Sequence, residues 1–212
     1  MTPSRVAERF AAVIPVGTLA GAKSRLGETL DAEERQDLVV RLIARTVTAA
    51  LAVEALDDVL VVSPDRDVLR CAAALGGRTL RQRSRGLNAG LREARDDVVA
   101  GGATAILVLP IDLPFVSEAA IQAVTDALVA LPQPAVVLVP DRHGVGTNAL
   151  GLRPPGVIDF AFGRASRAAH QAAADAAGAA YREQDGPLTV DLDTPDDYMT
   201  VEAATREGVH AG

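Results

Sequence analysis

Short runs of aliphatic and β-branched residues alternate along the chain with longer stretches whose apolar positions recur at helical spacing. Ala11 to Val16, Asp58 to Ser63, Arg78 to Arg81, Thr104 to Pro110 and Ala135 to Val139 predict strands. Between them, Asp31 with Glu34 three residues on forms a capping box, and Leu38, Leu42, Arg45 and Ala49 continue its stripe. Ser63-Pro64 reads as a cap and first-turn proline for a helix over Asp65 to Leu75, closed by Gly76-Gly77. Leu87, Leu91, Ala94 and Val98 mark a further helix, and Ser117 opens one carrying Ile121, Val124 and Leu128. The Ala-rich stretch from Ala165 to Ala180 predicts a helix ending at Gly178. Thr194-Pro195-Asp196-Asp197 is a helix start, its acids facing the positive end of the helix dipole.

Strands separated by helices indicate right-handed βαβ units, hence an α/β fold with a mostly parallel sheet flanked by helices. The segment from Pro140 to Gly163 breaks the rhythm with prolines, glycines and one apolar run, Ala149 to Leu152, and reads as a loop with an antiparallel excursion. Thr189 to Asp193 reads as a short strand that puts Asp191 and Asp193 on one face. A length of 212 residues suits a single domain spanning 1–212, since domains of about 100 to 250 residues are common.

Charge and composition narrow the function. Lys and Arg number 21 against 28 Asp and Glu, a net charge of −7, which argues against nucleic acid as the partner. Aromatic residues are 4 Phe, 2 Tyr and no Trp, too few for base-stacking platforms. No apolar run approaches the roughly 20 residues of a membrane span, and no signal peptide is visible, so the expected location is cytoplasmic. The single cysteine, Cys71, excludes an internal disulfide and reads as a small buried residue.

In an open α/β sheet ligands bind beyond the carboxyl ends of the strands. After the first strand, Gly17 to Gly27 holds three glycines with Lys23 and Arg25, the backbone donors and cations a polyphosphate needs. The run nearly spells a P-loop, with Ala22 in place of its second glycine, but the helix start at Asp31 falls several residues too late. A P-loop and a plain solvated loop stand beside the polyphosphate reading as alternatives. The fourth strand ends in Leu109-Pro110-Ile111-Asp112-Leu113-Pro114, where two prolines fix the backbone around Asp112. That carboxylate is the first candidate ligand for Mg2+, which takes one or two carboxylates plus substrate phosphates. Asp193, or Asp191, could complete the pair.

Pro140-Asp141-Arg142-His143-Gly144-Val145-Gly146-Thr147-Asn148-Ala149 contains the loose dinucleotide pattern GxGxxA, but Pro154-Pro155 follows where a helix should. Small donors beside His143 and Arg142 suit a compact anion instead. Phe162-Gly163, Ser166 and His170, with Arg164 and Arg167, could set a helix N-terminus against it. For His170 a surface histidine is the alternative reading. The one basic cluster, Arg81 to Arg85 before Gly86-Leu87-Asn88, sits beside the first loop on this reading, reaching a nucleotide or remaining a solvated face.

The glycine-rich loop with Lys23 and Arg25, LPIDLP, PDRHGVGTNAL, FGRAS with His170, and DLDTP occur in this order across nearly the whole chain. Together they resemble the guanylyltransferases of coenzyme F-420 biosynthesis, which act on phosphoenolpyruvate or 2-phospho-L-lactate. The resemblance implies a Rossmann-like, GT-A-type nucleotidyltransferase fold and transfer of GMP from GTP with loss of pyrophosphate. It implies Mg2+ on Asp112 and Asp193, with Lys23 and Arg25 acting alongside Asp112 in catalysis. GTP would lie against Gly21, Lys23, Gly86 and Asn88. Thr147, Gly163 and Ser166, with His143 and Asn148 beside them, would take the three-carbon acid. One departure is Gly17, where the family often carries Lys; a cation at the triphosphate is then either missing or supplied by Arg25. A homodimer is compatible with the resemblance. A sugar-phosphate or pterin nucleotidyltransferase, a P-loop kinase and a non-catalytic nucleotide-binding module are the competing readings.

Overall fold

The computed structural model describes residues 8–19, 30–192, 197 and 199. Strands β1 (Phe10–Pro15), β2 (Leu56–Ser63), β3 (Arg78–Arg81), β4 (Ala105–Val108), β5 (Ala135–Pro140), β6 (Thr147–Arg153) and β7 (Ala180–Glu183) form one sheet, ordered β3-β2-β1-β4-β6-β5-β7. Helices α1 (Ala32–Ala52), α2 (Arg66–Ala74), α3 (Leu87–Ala100), α4 (Glu118–Ala130) and α5 (Ser166–Ala176) connect them. Only β6 runs against its neighbours, pairing antiparallel with both β4 and β5. Strand order reverses at β1, which pairs parallel with β2 on one side and β4 on the other. The crevice beyond the carboxyl ends of β1 and β4 is therefore the switch point where such sheets bind ligands.

Alternation along the central strands builds two cores. Ala12, Ile14, Val59, Val61 and Leu107 face α1, α2 and α4, where Val39, Ile43, Val68, Ile121 and Leu128 pack on them. Ala11, Val13, Leu60, Val62, Ile106 and Val108 face the other way, against Leu91, Ala94 and Val98 of α3 and Ala174 of α5. With so few aromatic rings, aliphatic side chains fill both layers. The helix starts follow local chemistry. Asp31 accepts from Glu34 N and Glu34 returns a bond to Asp31 N, closing the expected box, and Ser117 accepts from Ala120 N. Among the described residues no helix is long and apolar enough to cross a membrane.

Several expectations need correction. The cap of α2 is Asp65, whose side chain accepts from Asp67 N; Ser63 accepts from Asp65 N and donates to Gly17 O instead, tying the ends of β1 and β2. The Ser63–Asp65 turn also stands between residues 17–19, where Leu19 N donates to Asp65, and the arginine cluster, since β2 separates β3 from β1. Leu87 is exposed at 45%, so the stripe of α3 begins at Gly90 and Leu91. Cys71 is half-buried against the core rather than buried. Strand β7 has no expected counterpart, and the predicted strand from Thr189 is a 3-10 turn, Pro187–Thr189, followed by extended backbone. The predicted helix start at residues 194–196 lies outside the described residues.

Candidate active site

Asp112 stands at the switch point. The fully buried β4 ends at Val108, and Leu109 N continues the pairing onto Val13 O at 3.0 Å. Ile111 and Leu113 are buried on either side of half-buried Asp112, while Arg45 of α1 donates to Pro114 O and ties down the far end of the turn. Segment 187–192 then crosses the ends of β6 and β4. Asn148 Nδ2 donates to Leu188 O at 3.0 Å, and Leu192 N donates to Asp112 O at 2.9 Å. Asp191 and the chain leading to Asp193 are thus fastened beside Asp112. Asp193 itself lies outside the described residues, as do Gly21, Lys23 and Arg25 of the first loop. Among the described residues no group of three or more His, Cys, Asp or Glu gathers around a common point. Asp112 with one carboxylate from the 191–193 segment is a donor set suited to Mg2+, which leaves most of its coordination to water and substrate phosphates.

The acceptor candidates lie on the neighbouring strand, where a β-bulge redirects them. Val139 pairs with Ala149 but Pro140 pairs with Thr147, so Asn148 is an extra residue on β6. A bulge inverts the alternation that follows it. Asn148 accordingly turns to the α1/α4 side, where Leu188 packs, and Thr147 turns to the α5 side, where its hydroxyl lies 3.1 Å from His170 Nδ1. On α5 the buried stripe is Ser166, His170 and Ala174, so Ser166 sits one turn nearer the carboxyl end of the sheet than His170. Leading into this helix, Gly163 has φ 129° and Ala165 has φ 57°. A non-glycine residue in the left-handed region is held there against a cost. The tight entry lets Ser166 N bond Gly163 O and leaves α5 without a side-chain cap.

Arg167 is committed elsewhere: it grips Glu183 through Nε and Nη2 at 2.8 and 2.9 Å and Gly144 O through Nη1 at 2.9 Å. That pairing holds the Glu183 carboxyl below the usual range. His143 is exposed, its Nε2 accepting from Arg142 Nε at 3.2 Å, and Arg142 also binds buried Asp197.

Beyond β3, the loop over residues 82–86 is organised from α3. Glu93 accepts from Arg83 N and Ser84 N, and Gln82 Nε2 donates to Ser84 O and Gly86 O at 2.9 Å each. Asn88 spends its amide on the segment that leads into α5, donating to Phe162 O and accepting from Phe162 N, both at 2.9 Å. The base of the nucleotide candidate loop and the entry to α5 are therefore clamped together, a link that sequence spacing could not reveal. Gly90 makes room for Gln82: a Cβ there would fall 2.6 Å from Gln82 Cδ. Gly90→Ala should gain helix propensity of up to ~1 kcal/mol and lose about as much from the displaced amide bonds. The expected result is a nearly unchanged Tm with a several-fold rise in KM for the nucleotide, read by thermal melts and steady-state kinetics; a normal KM would mean that this loop does not hold the nucleotide.

An open cavity of about 1010 Å³ lies at the opposite end of the sheet, lined by Glu8, Thr104, Leu131, Gln133, Arg153 and Pro155 among others. Its one buried cation, Arg153, is occupied by Leu128 O, Val129 O and Leu131 O at the end of α4 and by Glu8.

This architecture is the Rossmann-like, GT-A-type fold of nucleotidyltransferases. A solved structure described as a nucleotide-diphospho-sugar transferase from Desulfovibrio desulfuricans G20 superposes with a TM-score of 0.75 at 15% identity, covering 96% of this chain and 90% of that one. Within that class, the family model for guanylyl transferases of the CofC-like type matches residues 10–204, and the chain belongs to that family. It is 46% identical over 88% of its length to phosphoenolpyruvate guanylyltransferase of Sphaerobacter thermophilus, of which 89% is covered. It is 45% identical over 91% of its length to the Rubrobacter xylanophilus protein of the same name, 93% covered.

Proposed function

We propose that the chain transfers GMP from GTP to phosphoenolpyruvate, or to 2-phospho-L-lactate, with release of pyrophosphate, as a step of coenzyme F-420 biosynthesis. The observation that carries this reading is the bulge at Asn148. It turns the Thr147 hydroxyl toward α5, whose buried face carries the Ser166 hydroxyl, in the chain region that follows Asp112 around the switch point. Membership of the guanylyl transferase family supports the donor and the relatives' names support the acceptor.

On this reading Gly21, Lys23, Arg25 and Gly86 surround GTP, with Lys23 and Arg25 against its phosphates. Asp112 and Asp193 would hold Mg2+, and Asp191 is the alternative partner. Bound there, the ion would neutralise charge that develops around the α-phosphate. Thr147, Gly163 and Ser166 hold the acceptor. An acceptor phosphate oxygen attacks the α-phosphorus, a P–O–P bond forms, and the bond from the α-phosphorus to the β-phosphate oxygen breaks with its electrons leaving on pyrophosphate. The second pKa of a phosphate monoester is about 6, so the nucleophile is already deprotonated at neutral pH and no general base is needed. The residues' task is in-line positioning and charge neutralisation.

Ser166→Ala should raise the KM for the acceptor about tenfold, the worth of one hydrogen bond to a charged group, with the KM for GTP unchanged. Equal effects on both substrates would argue against an acceptor site at α5. The assignment as a whole is tested by pyrophosphate release from GTP, ATP, CTP and UTP against phosphoenolpyruvate, 2-phospho-L-lactate and 3-phosphoglycerate. Release confined to GTP with a three-carbon acid is expected, and nucleoside diphosphate formation would indicate a kinase instead.

A further inference from the structure

His170 is fully buried in α5, and both of its ring nitrogens have partners. Nε2 accepts from Ala161 N at 2.9 Å, and Nδ1 lies 3.1 Å from Thr147 Oγ1. Phe162 packs edge-on to the ring at 5.1 Å. A neutral imidazole carries one ring proton, and a backbone N–H can only donate. Nε2 is therefore bare, the proton sits on Nδ1, and Thr147 Oγ1 accepts it. Burial pushes the imidazole pKa down to about 4, so the ring is uncharged at neutral pH. The geometry is held in place from outside, because Asn88 pins Phe162 N and O next to Ala161. Among the described residues the Thr147 hydroxyl makes no other hydrogen bond, which leaves its own proton to point elsewhere.

We infer that His170 is a positioning residue that makes the Thr147 hydroxyl an obligate donor toward the acceptor pocket, and so adapts that pocket to an anionic oxygen. The inference rests on the reading that Thr147 and Ser166 hold the acid acceptor. With the other tautomer Thr147 would give its proton to His170 and present only lone pairs to the anion, a repulsive contact. The peptide N–H of Ala161, four residues before the αL turn at Ala165, thus sets the polarity of a hydroxyl on a different strand.

Two independent measurements test this. Nitrogen-15 NMR of the histidine-labelled protein, with the His170 signals identified by their loss in His170→Asn, should show a protonated Nδ1 and a bare Nε2 at neutral pH. A ring protonated on Nε2, or on both nitrogens, would overturn the inference whether or not the enzyme turns over. In kinetics, His170→Phe should raise the acceptor KM about tenfold with the KM for GTP little changed, while His170→Asn, which keeps a donor near the Nδ1 position, should recover part of the loss. In a Thr147→Val background the same change should add no more than about twofold, because the two residues act as one unit. Additive effects, or equal effects on GTP, would overturn it. If His170→Phe fails to fold, the NMR measurement and the His170→Asn/Thr147→Val cycle decide. Wild-type protein that leaves every three-carbon acid unreacted yet shows the Nδ1–H ring would refute the substrate reading and leave the tautomer assignment standing.

Discussion

Asp112→Ala is expected to lose turnover by about a thousandfold or more while keeping the fold. Metal-assisted charge stabilisation at a transferring phosphoryl group is worth several kcal/mol, and each ~1.4 kcal/mol is a factor of ten in rate. The structure supports a clean variant. Asp112 is half-buried, Ile111 and Leu113 anchor the turn through their own burial, and the bond from Leu192 N goes to the Asp112 carbonyl, which alanine retains whatever the side chain contacts. Thermal melts should therefore stay within a few degrees of wild type as kcat falls. Normal turnover by the folded variant would remove Asp112 from the metal site, and joint loss of Tm and activity would reveal a structural role for the carboxylate.

Arg153→Ala should behave in the opposite way, losing stability and keeping catalysis. Its guanidinium, on a side chain only 8% exposed, caps three carbonyls at the end of α4 and pairs with Glu8 at 2.6 Å. Removing one partner of a buried charged network leaves the others unsatisfied, at a cost of about 3 kcal/mol. In a chain of this size that lowers Tm by roughly 6 to 12 °C. Since β6 is antiparallel, Arg153 lies at the end of the sheet away from Asp112, pairing with Ala135 at the start of β5. kcat and both KM values should match wild type at temperatures where the variant is folded. A changed acceptor KM would mean that the strand transmits strain to Thr147.

Much of the fold was legible where local chemistry decides structure, although the cap of α2 is Asp65 and not Ser63. The reciprocal bonds of Asp31 and Glu34, the Ser117 cap and the left-handed glycines at Gly76 and Gly178 occur where their residue types indicated. What escaped depends on contacts distant in sequence. Strand β7 is a four-residue edge, Ala-Tyr-Arg-Glu, with no fully buried position, and only β5 alongside makes it a strand. In β6 the apolar run marked the segment, but the bulge at Asn148 exists because Pro140 and Val139 pair across it. Thr147 and Asn148 looked like equivalent donors in sequence; the bulge decides which face each takes, putting Asn148 on the side of Ala149, where it secures segment 187–192, and Thr147 on the α5 side. His170 had a surface residue as its alternative reading, and its four-residue spacing from Ser166 was the available sign that both share a buried face. Asn88 read as a nucleotide contact, whereas its amide is spent on Phe162, a clamp that spacing along the chain does not show.

The net charge of −7 also has a physical resolution. An acidic protein that joins two anionic substrates must concentrate cations at the site, and the proposed pair at Asp112 and Asp193 uses acidic residues to recruit one. Product analysis of a single incubation with GTP, phosphoenolpyruvate and Mg2+, by phosphorus-31 NMR and mass spectrometry, decides which bond is made. Pyrophosphate and a guanosine diphosphate-linked enolpyruvate are expected in equal amounts, with the phosphate of phosphoenolpyruvate retained in the new diphosphate bridge. Formation of GDP with a doubly phosphorylated acid, or of GMP with no adduct, would contradict GMP transfer.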